Sequence, residues 1–114
     1  MSDPGDERAR RIGVNEGLFR NMNEQLKSLA EKFELADHLL LVCECGDPGC
    51  EQRVRVPAAH YEGIRADSRF FALVPGHELT DVEEVISERD GYNVVRKRDG
   101  TPTQVAVETD PRAD

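Results

Sequence analysis

The chain has 114 residues, of which 38% are hydrophobic and none is tryptophan, a composition that suits one small domain with a modest core. Its 23 acidic residues outnumber the 15 basic ones and give a formal charge of -8, so repulsion from phosphate backbones argues against a nucleic-acid partner. No segment approaches the roughly 20 apolar residues of a membrane-spanning helix, and residues 1–11 lack the apolar centre of a secretion signal. We therefore expect a cytoplasmic protein with no nucleic-acid or membrane partner.

A long amphipathic helix is predicted near the N-terminus. Asp3 and Pro4 suit a helix start, and the acids that follow complement the positive helix end. We assign residues 1–11 to a flexible or frayed start, 12–107 to one zinc-stabilised domain with the helix at 12–36 and a sheet region at 38–107, and 108–114 to a disordered tail. The predicted buried stripe, spaced as helix neighbours are, consists of Ile12, Phe19, Met22, Leu26, Leu29 and Phe33.

This helix is long for so small a domain. A helix from Asp6 to Phe33 would measure about 40 Å, so its first turns are expected to project, to pair with a second copy, or to fray. Asn15 is interpreted either as a register-setting residue in a helix–helix seam or as a residue on an uncovered end. Gly13 and Gly17 each weaken a helix by up to about 1 kcal/mol relative to alanine, which favours the uncovered end.

From residue 38 onward the apolar residues are spaced as in strands rather than as in a helix. Apolar runs and alternating residues predict strands, glycine and proline mark the turns between them, and Asp90-Gly91 is a strong hairpin signal. The predicted fold is α+β, with the long N-terminal helix packed on a small, mostly antiparallel sheet. The predicted strands are 38–42, 54–56, 70–74, 82–86, 92–96 and 105–107, with a short helix at 57–65.

The segment from Cys43 to Cys50 carries the clearest chemical signal. It places three cysteines, Cys43, Cys45 and Cys50, within eight residues around two glycines and a proline. Thiols stay reduced in the cytoplasm, so an odd, tightly clustered set of cysteines indicates metal ligands rather than disulfides. Tetrahedral zinc needs thiolates that converge on one point, and glycines allow the tight turn that brings them together. We predict one structural zinc ion at the tip of the first hairpin.

Three cysteines leave one ligand position to be filled. His77 is the preferred candidate, since the Pro75-Gly76 turn after the third strand could return the chain to the hairpin tip. His60 lies in the predicted short helix, where histidines are more often surface residues, and His38 lies five residues before Cys43, at the opposite end of the first strand. Glu44, Asp47 or water are the remaining possibilities. Zinc held by Cys43, Cys45, Cys50 and His77 would join the first hairpin to the loop after the third strand.

The motifs resemble a set of short uncharacterised bacterial proteins of a kind common in actinobacteria. The shared features are an Asn-Glu-x-Leu-Phe-Arg-x-x-Asn segment, here Asn15 to Asn23, then CxCx4C from Cys43 to Cys50, and a Pro-Gly-His-Glu sequence that includes His77. The resemblance covers most of residues 12–97. It implies that the three cysteines and His77 form one site, and it implies no activity. A glutamate is expected in these relatives at the position of His60.

A binding or adaptor module is the function that these features favour. The surface is acidic, the helix outruns its domain, and no arrangement of catalytic residues stands out, so a protein partner or self-association through the helix is expected. The alternative is a zinc enzyme or a thiol-based redox or metal sensor. Glu78 or Asp47 could serve as the general base of such an enzyme, and oxidation of clustered thiolates could release zinc. Whether the chain is an enzyme stays open at this point.

Overall fold

The computed structural model of the chain describes residues 4–32 and 37–112, and it has the predicted α+β architecture. No helix within these ranges combines the length and the apolar character needed to cross a membrane. The elements, in chain order, are α1 Pro4–Lys32, β1 His38–Val42, β2 Arg53–Pro57, α2 Ala58–Arg65, β3 Phe70–Leu73, β4 Glu83–Glu88, β5 Asn93–Lys97 and α3 Thr101–Glu108.

The strands form two small antiparallel sheets. Strands β1 and β2 make a hairpin in which His38 pairs with Pro57 at one end and Val42 pairs with Arg53 at the other. Strand β5 lies between β3 and β4, and a bulge interrupts β4 between Val85 and Ser87. The alternating inward residues of the hairpin join side chains of α2 and of the second sheet in one core. That core contains Leu39, Leu41, Val54, Val56, Tyr61, Ile64, Ala72, Tyr92 and Val94.

Helix α1 packs through a different face from the one predicted. Met22 and Leu29 of the predicted stripe are exposed, Phe19 and Leu26 are half-buried, and only Ile12 is buried. Phe33 and residues 34–36 lie outside the described residues. The face that is buried combines small and polar residues: Ala9, Ile12, Gly13, Glu16, Gly17, Arg20 and Asn23. Apolar spacing alone therefore selected a face that is displaced around the helix from the buried one and shares only Ile12 with it.

The first turns of α1 contact the rest of the domain along one side, although residues 4–8 are themselves exposed. The helix begins by Pro4, and its early turns carry the buried Ala9 and an Arg8–Asp81 ion pair at 3.0 Å. The assignment of a flexible or frayed start therefore differs from the structure at residues 4–11. Asn15 is half-buried, and its side-chain amide donates to the carbonyl of Gly46 at 3.2 Å, so it contacts the cysteine segment.

The segment predicted as a last strand, 105–107, is part of helix α3. Pro102 lies in its first turn, where a missing N–H does no harm, and this start signal prevails over the strand tendency of two valines. Helix α3 packs closely on α1. A Cβ atom on Gly13 would come within 2.7 Å of Val105 Cγ1, and one on Gly17 would come within 2.7 Å of Thr109 Oγ1. The two glycines permit this contact and do not mark an uncovered helix end.

The C-terminal segment is ordered where the structure describes it, which corrects the prediction of a disordered tail for residues 108–112. The Asp110 carboxylate accepts hydrogen bonds from the Arg65 guanidinium at 2.5 Å and from the Ser68 hydroxyl at 2.6 Å. Arg112 pairs with Glu62 at 3.0 Å. Residues 113–114 lie outside the described residues. Charged partners far back in the chain, rather than apolar burial, hold this segment in place.

Glycine-to-alanine substitutions test the α1–α3 contact. We expect Gly17→Ala to lower the free energy of unfolding by about 1–2 kcal/mol, because the overlap with Thr109 outweighs the better helix propensity of alanine. Gly63→Ala in α2 is the matched control, since no heavy atom lies within 4 Å of the added Cβ. It should raise stability by about 0.5–1 kcal/mol. Urea unfolding of the metal-loaded proteins measures both, and stabilisation by Gly17→Ala would contradict the close contact.

Candidate metal centre

Two loops bring the predicted metal ligands to the tip of the β1–β2 hairpin. Cys43 follows β1 directly, and its N–H donates to the Gln52 carbonyl at 3.0 Å, which extends the strand pairing. Cys50 closes a tight turn by donating its N–H to the Asp47 carbonyl at 3.1 Å. His77 follows β3 through a turn in which its N–H donates to Val74 and Gly76 has φ of +94°. Glycine adopts this left-handed conformation without steric cost.

The four side chains converge on one point. One ligand atom from each of Cys43, Cys45, Cys50 and His77 lies within 4.8 Å of every other. The Nδ1 atom of His77 lies 3.5 Å from Cys43 Sγ and 3.7 Å from Cys50 Sγ. With Zn–S and Zn–N bonds of about 2.3 and 2.0 Å, tetrahedral geometry places sulfur and nitrogen about 3.5 Å apart. The residues therefore fit a metal ion held by three sulfurs and Nδ1.

Backbone amides and hydrogen bonds between the thiols prepare the sulfurs for a cation. The Val74 N–H donates to Cys43 Sγ at 3.1 Å. A hydrogen bond from Cys43, aided by the Asp47 N–H, lowers the pKa of Cys45 to about 5. The same hydrogen bond, together with burial, raises the pKa of Cys43, and burial raises that of Cys50. The cluster therefore favours one thiolate stabilised by its neighbours, and a metal would displace the protons that the other thiols retain.

The other ligand candidates lie outside this group. His38 and His60 line a separate cleft, and His60 Nδ1 is 3.0 Å from the Tyr92 hydroxyl. Asp47 and Glu78 hold local turns, where their carboxylates accept hydrogen bonds from the N–H groups of Gly49 and Gly76, both at 2.8 Å.

Glu44 has a structural role that its position between two cysteines conceals. Its side chain is fully buried, and its carboxylate is held by groups of α1, α2 and β3 rather than by the cysteines. One carboxylate oxygen accepts from the Ala72 N–H at 2.9 Å, and the other accepts from the Asn23 amide at 2.8 Å and the Tyr61 hydroxyl at 3.1 Å. Burial raises the pKa of Glu44, and these hydrogen bonds oppose the rise. Glu44 thus joins the cysteine segment to β3, α1 and α2.

Helix α1 supports the hairpin tip directly. The Asn23 side chain exchanges two hydrogen bonds with the Val42 backbone, at 2.9 and 2.8 Å. A Cβ atom on Gly46 would lie 2.6 Å from Ile12 Cγ2, so the cysteine loop approaches the helix as closely as only glycine allows. Sequence reasoning missed Asn23, although Glu16, Arg20 and Asn23 recur at helical spacing and so share one face.

Comparison of the chain with protein-family models, with curated proteins and with solved structures found no match. The features that bear on its function are therefore its own: the cluster of four candidate metal ligands, the exposed faces around it and the charges they carry.

Proposed function

We propose that this chain is a protein-interaction module whose fold is held by one structural zinc ion. The observation that carries the metal part is the convergence of three thiols and one imidazole on one point. These four groups fill all positions of a tetrahedron, and a catalytic zinc would keep one position open for water. None of four cavities of about 320–520 Å³ among the described residues is lined by a ligand residue.

Zinc is the ion that suits this donor set. Three soft thiolates and one imidazole in tetrahedral arrangement are typical of structural zinc sites, whereas magnesium and calcium prefer oxygen ligands. The ion would join the β1–β2 hairpin to the loop after β3. Because Asn15 and Ile12 of α1 contact the same cysteine loop, the joined loops would also fix the position of the helix.

The outer side of α1 supports the interaction role. Four large apolar side chains, Val14, Leu18, Met22 and Leu29, are 43%, 59%, 48% and 52% exposed. At about 100° per residue they lie within roughly 80° of the helix circumference, so they form one continuous row. We call these four residues the outer row. Exposed apolar rows of this kind accept the apolar face of another helix.

Charge around the outer row favours an acidic partner over a second copy of the chain. Arg10 and Arg11 outnumber Glu7 beside Val14, and beside Leu29 Lys32 adds a cation to Glu24, which already pairs with Arg65. An antiparallel pair of copies that matched Val14 to Leu29 would place Arg11 near Lys32, and a parallel pair would place like charges together. We therefore propose that an acidic amphipathic helix of another protein occupies the outer row.

Substitution of Leu18 by glutamate tests this role. A photo-crosslinking residue at position 18 would trap the partner in cells, and the complex would then be rebuilt from purified components. We expect Leu18→Glu to weaken this complex at least tenfold, about 1.4 kcal/mol, because it removes apolar contact and repels acidic side chains. Fluorescence anisotropy against the purified partner segment measures the affinity.

Leu40→Glu is the matched control, since Leu40 is 64% exposed on β1 and lies outside the outer row. It should leave the affinity unchanged, and both variants should keep their metal. The affinity should also fall with salt, because basic residues flank the row. Equal effects of the two leucine variants, or purified protein that dimerises through the outer row, would contradict an acidic partner helix.

A further inference from the structure

A second cleft lies at the base of the β1–β2 hairpin, at the opposite end from the cysteines. His38 and Pro57, which pair in the strand register, form one wall, and the turn between β4 and β5 forms the other. The cleft has a volume of about 520 Å³. Its lining residues are His38, Arg55, Pro57, His60, Arg89, Asp90 and Tyr92.

The lining is basic in an acidic protein. Two arginines and two histidines face one carboxylate, Asp90, although the chain as a whole carries a formal charge of -8. Within the described ranges, the salt bridges include neither Arg55 nor Arg89. Guanidinium groups without a carboxylate partner can bind a carboxylate or phosphate through two parallel hydrogen bonds.

Helix α2 adds a second attraction for an anion. It begins at Ala58, directly after Pro57, and neither a side-chain cap nor an acidic residue occupies its first turn. The Ala58 N–H donates to Asp37 at 2.7 Å. The N–H groups after Ala58 belong to the first turn of α2. N–H groups in the first turn of a helix have no carbonyl partners within that helix, and this helix end carries partial positive charge. Pro57 and His60 both line the cleft, so this helix end borders it.

An apolar groove of about 320 Å³ continues from the basic cleft. The two share His60, Arg89 and Tyr92, and the Tyr92 hydroxyl lies 3.0 Å from His60 Nδ1 at their border. Beyond this border the lining is mainly apolar and contains one hydroxyl, that of Ser87: the other residues are Ala59, Gly63, Ile64, Phe70, Ile86 and Val94. The arrangement suits a ligand with a charged head at one end and an apolar body at the other.

We propose that this cleft binds a small organic anion, with its carboxylate or phosphate head between Arg55 and Arg89 and its apolar body along Phe70 and Ile86. The site is independent of the metal centre and of the outer row of α1. It is formed by the hairpin base, α2, the β4–β5 turn and the adjoining residues of β3 and β4.

Titration of the metal-loaded protein with four probes tests the proposal. Phenyl phosphate and 3-phenylpropionate carry both a head and an apolar body, inorganic phosphate lacks the body, and benzyl alcohol lacks the charge. We expect one of the first two to bind at least about tenfold more tightly than either control probe, because only they use both parts of the cleft. Whichever of the two binds more tightly identifies the head group. Amide shifts in NMR spectra should concentrate on Arg55, His60, Arg89 and Tyr92.

Arginine variants distinguish this cleft from general charge attraction. Arg55→Gln and Arg89→Gln should each weaken binding of the preferred probe by about five- to tenfold, since each removes a charged hydrogen-bond donor. Arg53→Gln is the control, because Arg53 is exposed two residues away in the same strand and does not line the cleft. Equal losses in all three variants, shifts located elsewhere, or no binding of either organic anion at about 10 mM would overturn the proposal.

Discussion

Replacing His77 with alanine is expected to reduce zinc affinity sharply and to destabilise the whole domain. In the proposed zinc site the imidazole would complete the tetrahedron, since Nδ1 lies 3.5 Å from Cys43 Sγ and 3.7 Å from Cys50 Sγ. Structural zinc in small peptides binds with about 10–16 kcal/mol at neutral pH, a value as large as the net stability of most domains. Loss of one ligand should therefore cost several kcal/mol, and Cys45→Ser, which removes a buried thiolate, should cost at least as much.

Elemental analysis and thermal unfolding measure the two effects. The purified protein should contain about one zinc per chain, and cobalt substitution should give the absorption of a tetrahedral thiolate site. His38→Ala is the control, since His38 lies at the far end of β1 from Cys43 and should leave zinc content and unfolding temperature unchanged. Protein that purifies without metal, and whose cooperative unfolding is unaffected by added zinc, would rule out the structural zinc site.

The convergence of the four candidate ligands was predictable because the signals for it lie in two short segments of the sequence. Cys43, Cys45 and Cys50 lie within one short loop, and the Pro75-Gly76 turn limits where His77 can point. The strands were predictable for a similar reason, since alternating apolar residues such as Val54 and Val56 specify a buried strand face without knowledge of the partner strand. The strand bounds agree with the structure to within one or two residues at most ends.

The packing of α1 could not be predicted because its partners are distant in the chain. Glu16 and Arg20 look like surface residues by composition, and each is buried against groups more than 40 residues away. Hydrophobic periodicity treats such residues as exposed and so selects a neighbouring face that shares only Ile12 with the buried one. Gly13 and Gly17 raised the same difficulty, since their role appears only once α3 is known to pack against them.

Helix α3 and the segment after it were missed because local and distant signals conflict. Val105 and Val107 favour a strand by residue type, and only Pro102 indicates a helix start. Asp110 and Arg112 are typical of a solvated tail, and they are ordered by Arg65 and Glu62 of α2. Ion pairs formed across the fold therefore place the C-terminal segment.

Lys97 is the residue outside the metal centre whose substitution should destabilise the domain most. Its ammonium group donates to Glu16 at 2.6 Å and to Glu83 at 2.9 Å, and all three side chains are 0% exposed. We expect Lys97→Met to lower the free energy of unfolding by about 3–5 kcal/mol at neutral pH, because it leaves two buried carboxylates without a cation. Urea unfolding of metal-loaded protein measures the loss.

The loss should depend on pH in a defined direction. Burial, followed by repulsion from Glu83, raises the pKa of Glu16 well above its ordinary value of 4.5, and Lys97 opposes the rise. Removing Lys97 raises this pKa further, so the folded variant binds more protons than the folded wild type. Its stability relative to wild type should therefore increase as the pH falls from about 8 to about 6. A difference in stability that is constant over this range would contradict coupled carboxylates.

Glu16→Gln separates charge balance from simple loss of contact. Among the described residues Glu16 Oε2 is buried without a hydrogen-bond partner. The Glu16 carboxylate, the second one beside Lys97, therefore adds negative charge that the structure does not fully compensate. With glutamine at position 16, Lys97 and Glu83 remain as one cation and one anion, and the cost should stay below about 1 kcal/mol. If Glu16→Gln instead destabilises the domain as much as Lys97→Met, contact geometry rather than excess charge governs this cluster.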